Sequence, residues 1–232
     1  MSVDLRTPVQ PRAVQRKTAL VTGAESVLSR DIACALARDG ITVAVQGYSP
    51  AHVDETVQTI TDDGGSALAV GSDLTVESEV DQAFNRIEER GPIDLLVNNA
   101  SLPGPESATR PFLEVRSQDW RRFTQDNLLV LHLISHRVAR TLKQARRRGA
   151  VVTVFGENEA ARSDHAHHFL RAIVGAFTRG VADDLMRNNI CVNAVRAGAN
   201  TDPQLTTAMA LDLLQKRIRA RGRHRLHGRG HP

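Results

Sequence analysis

A doubly wound α/β domain, a parallel sheet of six strands covered on both faces by helices, is the fold class this sequence predicts. Three observations carry it. Short runs of Val, Ile, Leu and Ala alternate with longer stretches of helical periodicity through most of the chain. Aromatic residues make up only 3% of the chain, so the core is aliphatic, as in strands buried on both faces. Thr18 to Gly40 reads as strand, tight turn and helix, the opening unit of such a sheet, in which the helix N-terminus faces an anion.

The first strand is Ala19–Val21, its turn opens at Gly23, and the helix after it carries Val27, Leu28, Ile32, Ala33, Leu36 and Ala37. Ile41–Gln46 is the second strand, followed by a helix over Ala51–Asp63 with Val53, Val57 and Ile60 on one face. Ala67–Val70 is the third strand, ending at Gly71-Ser72-Asp73. A helix follows with Val76, Val80, Phe84 and Ile87 at helical spacing. After Gly91-Pro92 the fourth strand runs Ile93–Val97 and closes on Asn98-Asn99-Ala100. Residues 101–116, with Pro103, Pro105 and Pro111, read as a loop over the strand ends.

Ser117 is placed to cap a long helix from Gln118 to about Arg147, with Trp120, Phe123, Asn127, Leu131, Ile134, Val138 and Leu142 inward. Ala150–Phe155 is the fifth strand, His165–Asn188 a second long helix, and Ile190–Val195 the sixth strand. A short helix over about Thr207–Ile218 precedes an Arg/His-rich tail. The chain thus divides into a flexible leader (1–16), one folded domain (17–203), and a terminal segment (204–232).

At 232 residues the domain is large enough for a self-supporting core. The formal charge of +4 belongs to the tail: residues 216–232 hold seven of the 30 basic residues and none of the 26 acidic ones, which leaves −3 elsewhere. That run reads as solvated rather than as a nucleic-acid site. No apolar stretch is long enough to span a bilayer, and the N-terminus lacks the apolar centre of a secretory signal. Cys34 and Cys191 are scattered, so neither a disulfide framework nor a metal site is expected, and a reducing cytoplasm is the default.

Several motifs resemble the short-chain dehydrogenase/reductase (SDR) family, over roughly Lys17 to Pro203. Asp73-Leu74-Thr75 is similar to its acidic turn, Asn98-Asn99-Ala100-Ser101 to its NNAG, and Trp120 precedes Asn127 by the family's seven residues. Arg171–Leu185 resembles the helix after the catalytic residues, and Ile190–Asp202 its IxVNxVxPGxxxTD. The resemblance implies a Rossmann-type fold and a site for NADP or NAD built from Gly23, Leu28, Asp73, Leu74, Asn98, Ala100 and Thr201. It also implies a water-holding role for Asn127 in a proton relay.

The departures are as informative. The family's glycine pattern TGxxxGxG reads Thr22-Gly23-Ala24-Glu25-Ser26-Val27-Leu28-Ser29, so only its first glycine remains. Val27 is expected to stand where phosphate oxygens sit and Glu25 to bring a negative charge there, so dinucleotide binding is expected to be weakened or lost. Gln46-Gly47-Tyr48-Ser49 carries neither the acid nor the Arg that discriminates between the two cofactors. Alignment from the AFTRGVA segment puts His167 in the place of the catalytic Tyr and Arg171 in that of the Lys, with Gly156 near the Ser position. The family's seventh strand and substrate lid are expected to be missing.

Three functions follow. The leading one is non-redox acid/base chemistry on a small carbonyl compound (isomerase, cyclase or dehydratase type) by His167, Arg171 and Asn127. The others are an NADP(H)-dependent carbonyl reductase with His167 as proton donor, and a non-catalytic subunit pairing with an active relative. By resemblance, a homodimer or heterodimer would form through helices 118–147 and 165–188. The run Ser163-Asp164-His165-Ala166-His167-His168 is equally consistent with a solvated helix start.

Overall fold

The computed structural model describes residues 17–100, 110–156, 165–197 and 202–219. Within them six parallel strands, β1 (Thr18–Val21), β2 (Thr42–Gly47), β3 (Ser66–Gly71), β4 (Ile93–Ala100), β5 (Gly149–Gly156) and β6 (Ile190–Ala197), form one sheet. Their order is β3-β2-β1-β4-β5-β6. The chain works outward from β1 to one edge, then returns to start the other half at β4, so the strand order reverses between β1 and β4. The expected fold class is observed.

The helices are α1 (Val27–Arg38), α2 (Pro50–Asp62), α3 (Glu77–Glu88), α4 (Ser117–Thr124), α5 (Val130–Gln144), α6 (His165–Met186) and α7 (Pro203–Arg219). Alternate residues of the central strands feed two cores. Ala19, Val21, Val43, Val45, Leu95 and Val97 pack against α1 and α2, whereas Leu20, Ala44 and Leu96 face α3 and α5. A third cluster gathers Phe123, Phe155, Leu170 and Val174, with Trp120, Phe169 and Phe177 against it.

Three expectations are corrected. The single helix over 118–147 is instead α4, a π-helical turn at Gln125–Leu129, and α5 ending at Gln144. Ser117 is the first helical residue rather than the cap; Arg116 holds that place without a capping side-chain bond. The terminal helix begins at Pro203, four residues earlier than expected, and its Ala210 and Leu214 are fully buried against the α1 side. No described helix is long and apolar enough to cross a membrane.

The register brings three strand ends together. Val21 pairs with Val45 on one side and Val97 on the other, so Thr22-Gly23, Gln46-Gly47 and Asn98-Asn99 end side by side.

Candidate dinucleotide site

At these ends the chain makes a cross-linked floor. Thr22 donates its backbone N–H to the Val97 carbonyl at 3.0 Å, and its hydroxyl accepts from Asn99 N at 3.1 Å and donates to Asn98 Oδ1 at 3.3 Å. Ala24 N donates to the Gln46 carbonyl at 3.0 Å, and Gln46 Nε2 to the Ser72 carbonyl at 3.0 Å, so the β2 end is tied to both neighbours. Gly23 turns at φ +75°, and a Cβ there would meet the Asn99 side-chain amide at 3.0 Å. Glycine is required at this position on both counts.

Ser29, in the family's third glycine place, is buried and tied in. Its hydroxyl donates to the Thr22 carbonyl at 3.0 Å and accepts from Asn99 Nδ2 at 2.9 Å. The serine joins the start of α1 to the ends of β1 and β4. Val27, expected in the phosphate space, is 57% exposed and does not line the cavity; Leu28 is half-buried and packs on the core.

Above this floor opens a cavity of about 450 Å³. Of the residues the sequence proposed for a site, Gly23, Asp73, Leu74, Asn98 and Asn127 line it. Glu25, Gln46 and Tyr48 line it too, and so do Arg122 and Asp126, which the sequence did not single out. Asp73 is held by its own turn: its Oδ1 accepts from Thr75 N at 2.9 Å and from the Thr75 hydroxyl at 2.7 Å. Its backbone N–H donates to Glu79 Oε2 at 2.7 Å.

Asn127 sits in the π-helical turn, only 3% exposed, with Nδ2 donating to the Phe123 carbonyl at 2.9 Å. Widened turns of this kind recur at functional sites because they turn a side chain out of helical register. Its Oδ1 has no partner, and neither has Nδ2 of Asn98, itself 2% exposed. Two unpaired polar atoms this deep in one cavity cost free energy unless a ligand or water meets them. With the glycine turn, these amides and the cavity's size fit a polar ligand of dinucleotide type.

The lining is acidic. Among its described residues, three carboxylates, Glu25, Asp73 and Asp126, face one guanidinium, Arg122, which lies 3.6 Å from Asp126. Burial pushes the Asp126 carboxyl up, and the Asp73 charge adds to it against the opposing pull of Arg122. The phenol of Tyr48 is raised as well, first by burial, then by Asp73, Asp126 and Glu25.

The other expected residues stand apart or outside the description. Thr201 lies outside the described residues. Ala100 ends β4 and His167 lies on α6, but their side chains are outside the description. Arg171 follows His167 by four residues on α6, hence on the same helical face, and is half-buried. His165 packs edge-on to Phe112 at 5.3 Å and stacks on Trp120 at 6.0 Å, an aromatic role. Among the described residues no group of three or more His, Cys, Asp or Glu is arranged to hold a metal ion.

Comparison with known proteins agrees with this layout. The family model for short chain dehydrogenase matches residues 17–213. The 5-keto-D-gluconate 5-reductase of Escherichia coli (strain K12) is 28% identical over 185 residues, covering 78% of this chain and 71% of that protein. The 3-oxoacyl-[acyl-carrier-protein] reductase of Synechocystis sp. is 31% identical over 189 residues, 80% of this chain and 75% of the relative. Among solved structures, a short chain dehydrogenase from Mycobacterium smegmatis superposes with a TM-score of 0.77 at 23% identity, covering 88% of each chain. That last likeness is one of fold.

Proposed function

We propose that this chain, which belongs to the short chain dehydrogenase family, binds a nicotinamide dinucleotide and interconverts a small carbonyl compound and its alcohol. The observation that carries this reading is the cavity at the reversal of strand order, with Asn98 Nδ2 and Asn127 Oδ1 buried and unpaired in its wall. Gly23, Asp73, Leu74 and Asn98 would hold the dinucleotide, with Ala100 and Thr201 assigned by resemblance alone, and Asn127 would hold a water of the proton relay. The names of the relatives, reductases acting on a keto sugar acid and on an acyl thioester, support an oxidoreductase above the non-redox chemistry that the sequence placed first.

When bound, the dinucleotide supplies or accepts a hydride. The proton then falls to this chain. His167 stands where the family has its Tyr, and imidazole both donates and accepts a proton near neutral pH. A guanidinium does not carry protons, so the part proposed for Arg171 is a fixed positive charge in the place of the family's Lys.

The test is to follow nicotinamide absorbance while the protein is offered a panel of small ketones, aldehydes and acyl thioesters. Turnover is expected, and His167→Ala should lower it about 100-fold or more. Turnover unchanged in His167→Ala would remove His167 from the mechanism. Substrate conversion with no change in the dinucleotide would instead establish the acid/base reading, which the exchange of Tyr and Lys for His167 and Arg171 favours. The chain is also proposed to self-associate or to pair with a relative through α4, the π-helical turn, α5 and α6, where Leu129 and Met186 are exposed. A sedimenting monomer at micromolar concentration would contradict that.

A further inference from the structure

The segment that ends β2, Gly47-Tyr48-Ser49, carries no acid and no base of its own. The structure supplies an acid from elsewhere. Glu25, in the turn after β1, reaches sideways so that its Oε1 accepts the backbone N–H of Ser49 at 2.7 Å. An ideal Cβ on Gly47 would lie 2.6 Å from that same oxygen and 3.1 Å from Cβ of Ala24. The carboxylate therefore seats against the bare backbone of Gly47, and a side chain there would push it aside. One turn residue and one strand-end glycine, 22 positions apart, are shaped to each other.

From this contact we infer that Glu25 is the residue selecting between the two nicotinamide dinucleotides, in favour of the one with a free ribose 2′-hydroxyl and against its 2′-phosphorylated form. The inference rests on the dinucleotide-binding reading above. Two features support it. A carboxylate only accepts hydrogen bonds, so beside the β2 end it welcomes a ribose hydroxyl and repels a phosphate dianion. Dinucleotide sites of this architecture place an acid at the end of the second strand for that purpose. Here the same charge arrives at the same place from the glycine turn.

The second feature is the surrounding charge. Asp73 and Asp126 line the same cavity, and Arg122, the one cation among its described lining residues, is matched by Asp126. Among the described residues of this wall, a 2′-phosphate would meet a single cation already facing a carboxylate, against three negative charges. That the cavity is built for a polar ligand is indicated independently by the buried, unpaired amide nitrogen of Asn98 in its wall.

The experiment is a binding titration, by nicotinamide fluorescence, of NADH and NADPH against the full chain and the isosteric, surface variant Glu25→Gln, with thermal melts to verify folding. The full chain should bind NADH at least about tenfold more tightly than NADPH, and Glu25→Gln should bring the two close together. Equal binding, or preference for NADPH, by the full chain overturns the inference while leaving the dinucleotide reading intact. A preference that persists undiminished in Glu25→Gln also overturns it, because the selection then lies elsewhere. Binding of neither dinucleotide overturns both.

Discussion

Asn99 at the end of β4 donates a side-chain amide N–H to the hydroxyl of Ser29 on α1 at 2.9 Å, and that hydroxyl in turn donates to the Thr22 carbonyl at 3.0 Å. Where the family pattern has a glycine that lets helix and strand approach, this chain has a side chain that bonds the two. The turn is held together by a different interaction, and the cavity above it remains open.

Restoring the family glycine should therefore weaken the protein. Ser29→Ala removes the bridge and leaves the Asn99 amide without its acceptor, at a cost of about 1–2 kcal/mol. Ser29→Gly should cost roughly 1 kcal/mol more, because glycine adds backbone freedom inside a helix. Urea unfolding of the two variants checks the ranking; a glycine variant as stable as wild type would show that the bridge contributes nothing.

At the opposite end of the sheet Asp94 is 2% exposed, receives three contacts of 2.7–2.9 Å from Arg147, and accepts the Thr18 N–H at 3.2 Å. The strand register slips at this point: Thr18 pairs with Ile93 and Ala19 with Leu95, so Asp94 is the residue passed over. Asp94→Ala should destabilise the fold by about 3 kcal/mol, since it strands a partly buried guanidinium and a backbone donor. A loss under about 1 kcal/mol in chemical denaturation would mean that water replaces the carboxylate without penalty.

Gly149 begins β5 where any larger residue would collide. A Cβ there would lie 2.7 Å from the backbone oxygen of Asp94, which cannot move without moving β4. Gly149→Ala is expected to lower stability by about 1–3 kcal/mol, read as a lower melting temperature.

Asp126 gives a pH signature. Its carboxyl is raised by burial and by Asp73, so the native state holds this proton more tightly than the unfolded chain does. Stability from this group is then fully present below the ordinary value of 3.8 and is lost as pH rises through the higher folded value. Asp126→Asn removes that loss. It should melt no lower than wild type at pH 7 while its advantage vanishes near pH 3, and it should bind the dinucleotide more tightly by removing a charge from the cavity. A variant less stable at pH 7 by the same margin as at pH 3 would contradict the sign.

Much of the fold was legible because burial on two faces leaves a plain mark. Val, Ile and Ala runs such as Thr42–Gly47 have no solvated side, and six of them spaced by helical periods admit few arrangements. Asn127 was legible as a residue but its turn was not. A π-helical widening changes the pairing of a few backbone groups and leaves the hydrophobic period around it intact. Arg122 and Asp126 were not legible as site residues, because nothing in their local pattern shows that their helix lies over the ends of β1 and β2 in the same cavity.

Local chemistry in the chain decided which segments become strands and helices, because those choices rest on residue volume, period and backbone preference within a few positions. The contacts Glu25–Ser49, Ser29–Asn99 and Asp94–Arg147 were decided only when the sheet assembled, since each joins residues 24, 70 and 53 positions apart. Hydrogen bonds and charges act over a few ångströms, and only the register of neighbouring strands sets which distant residues come within that reach.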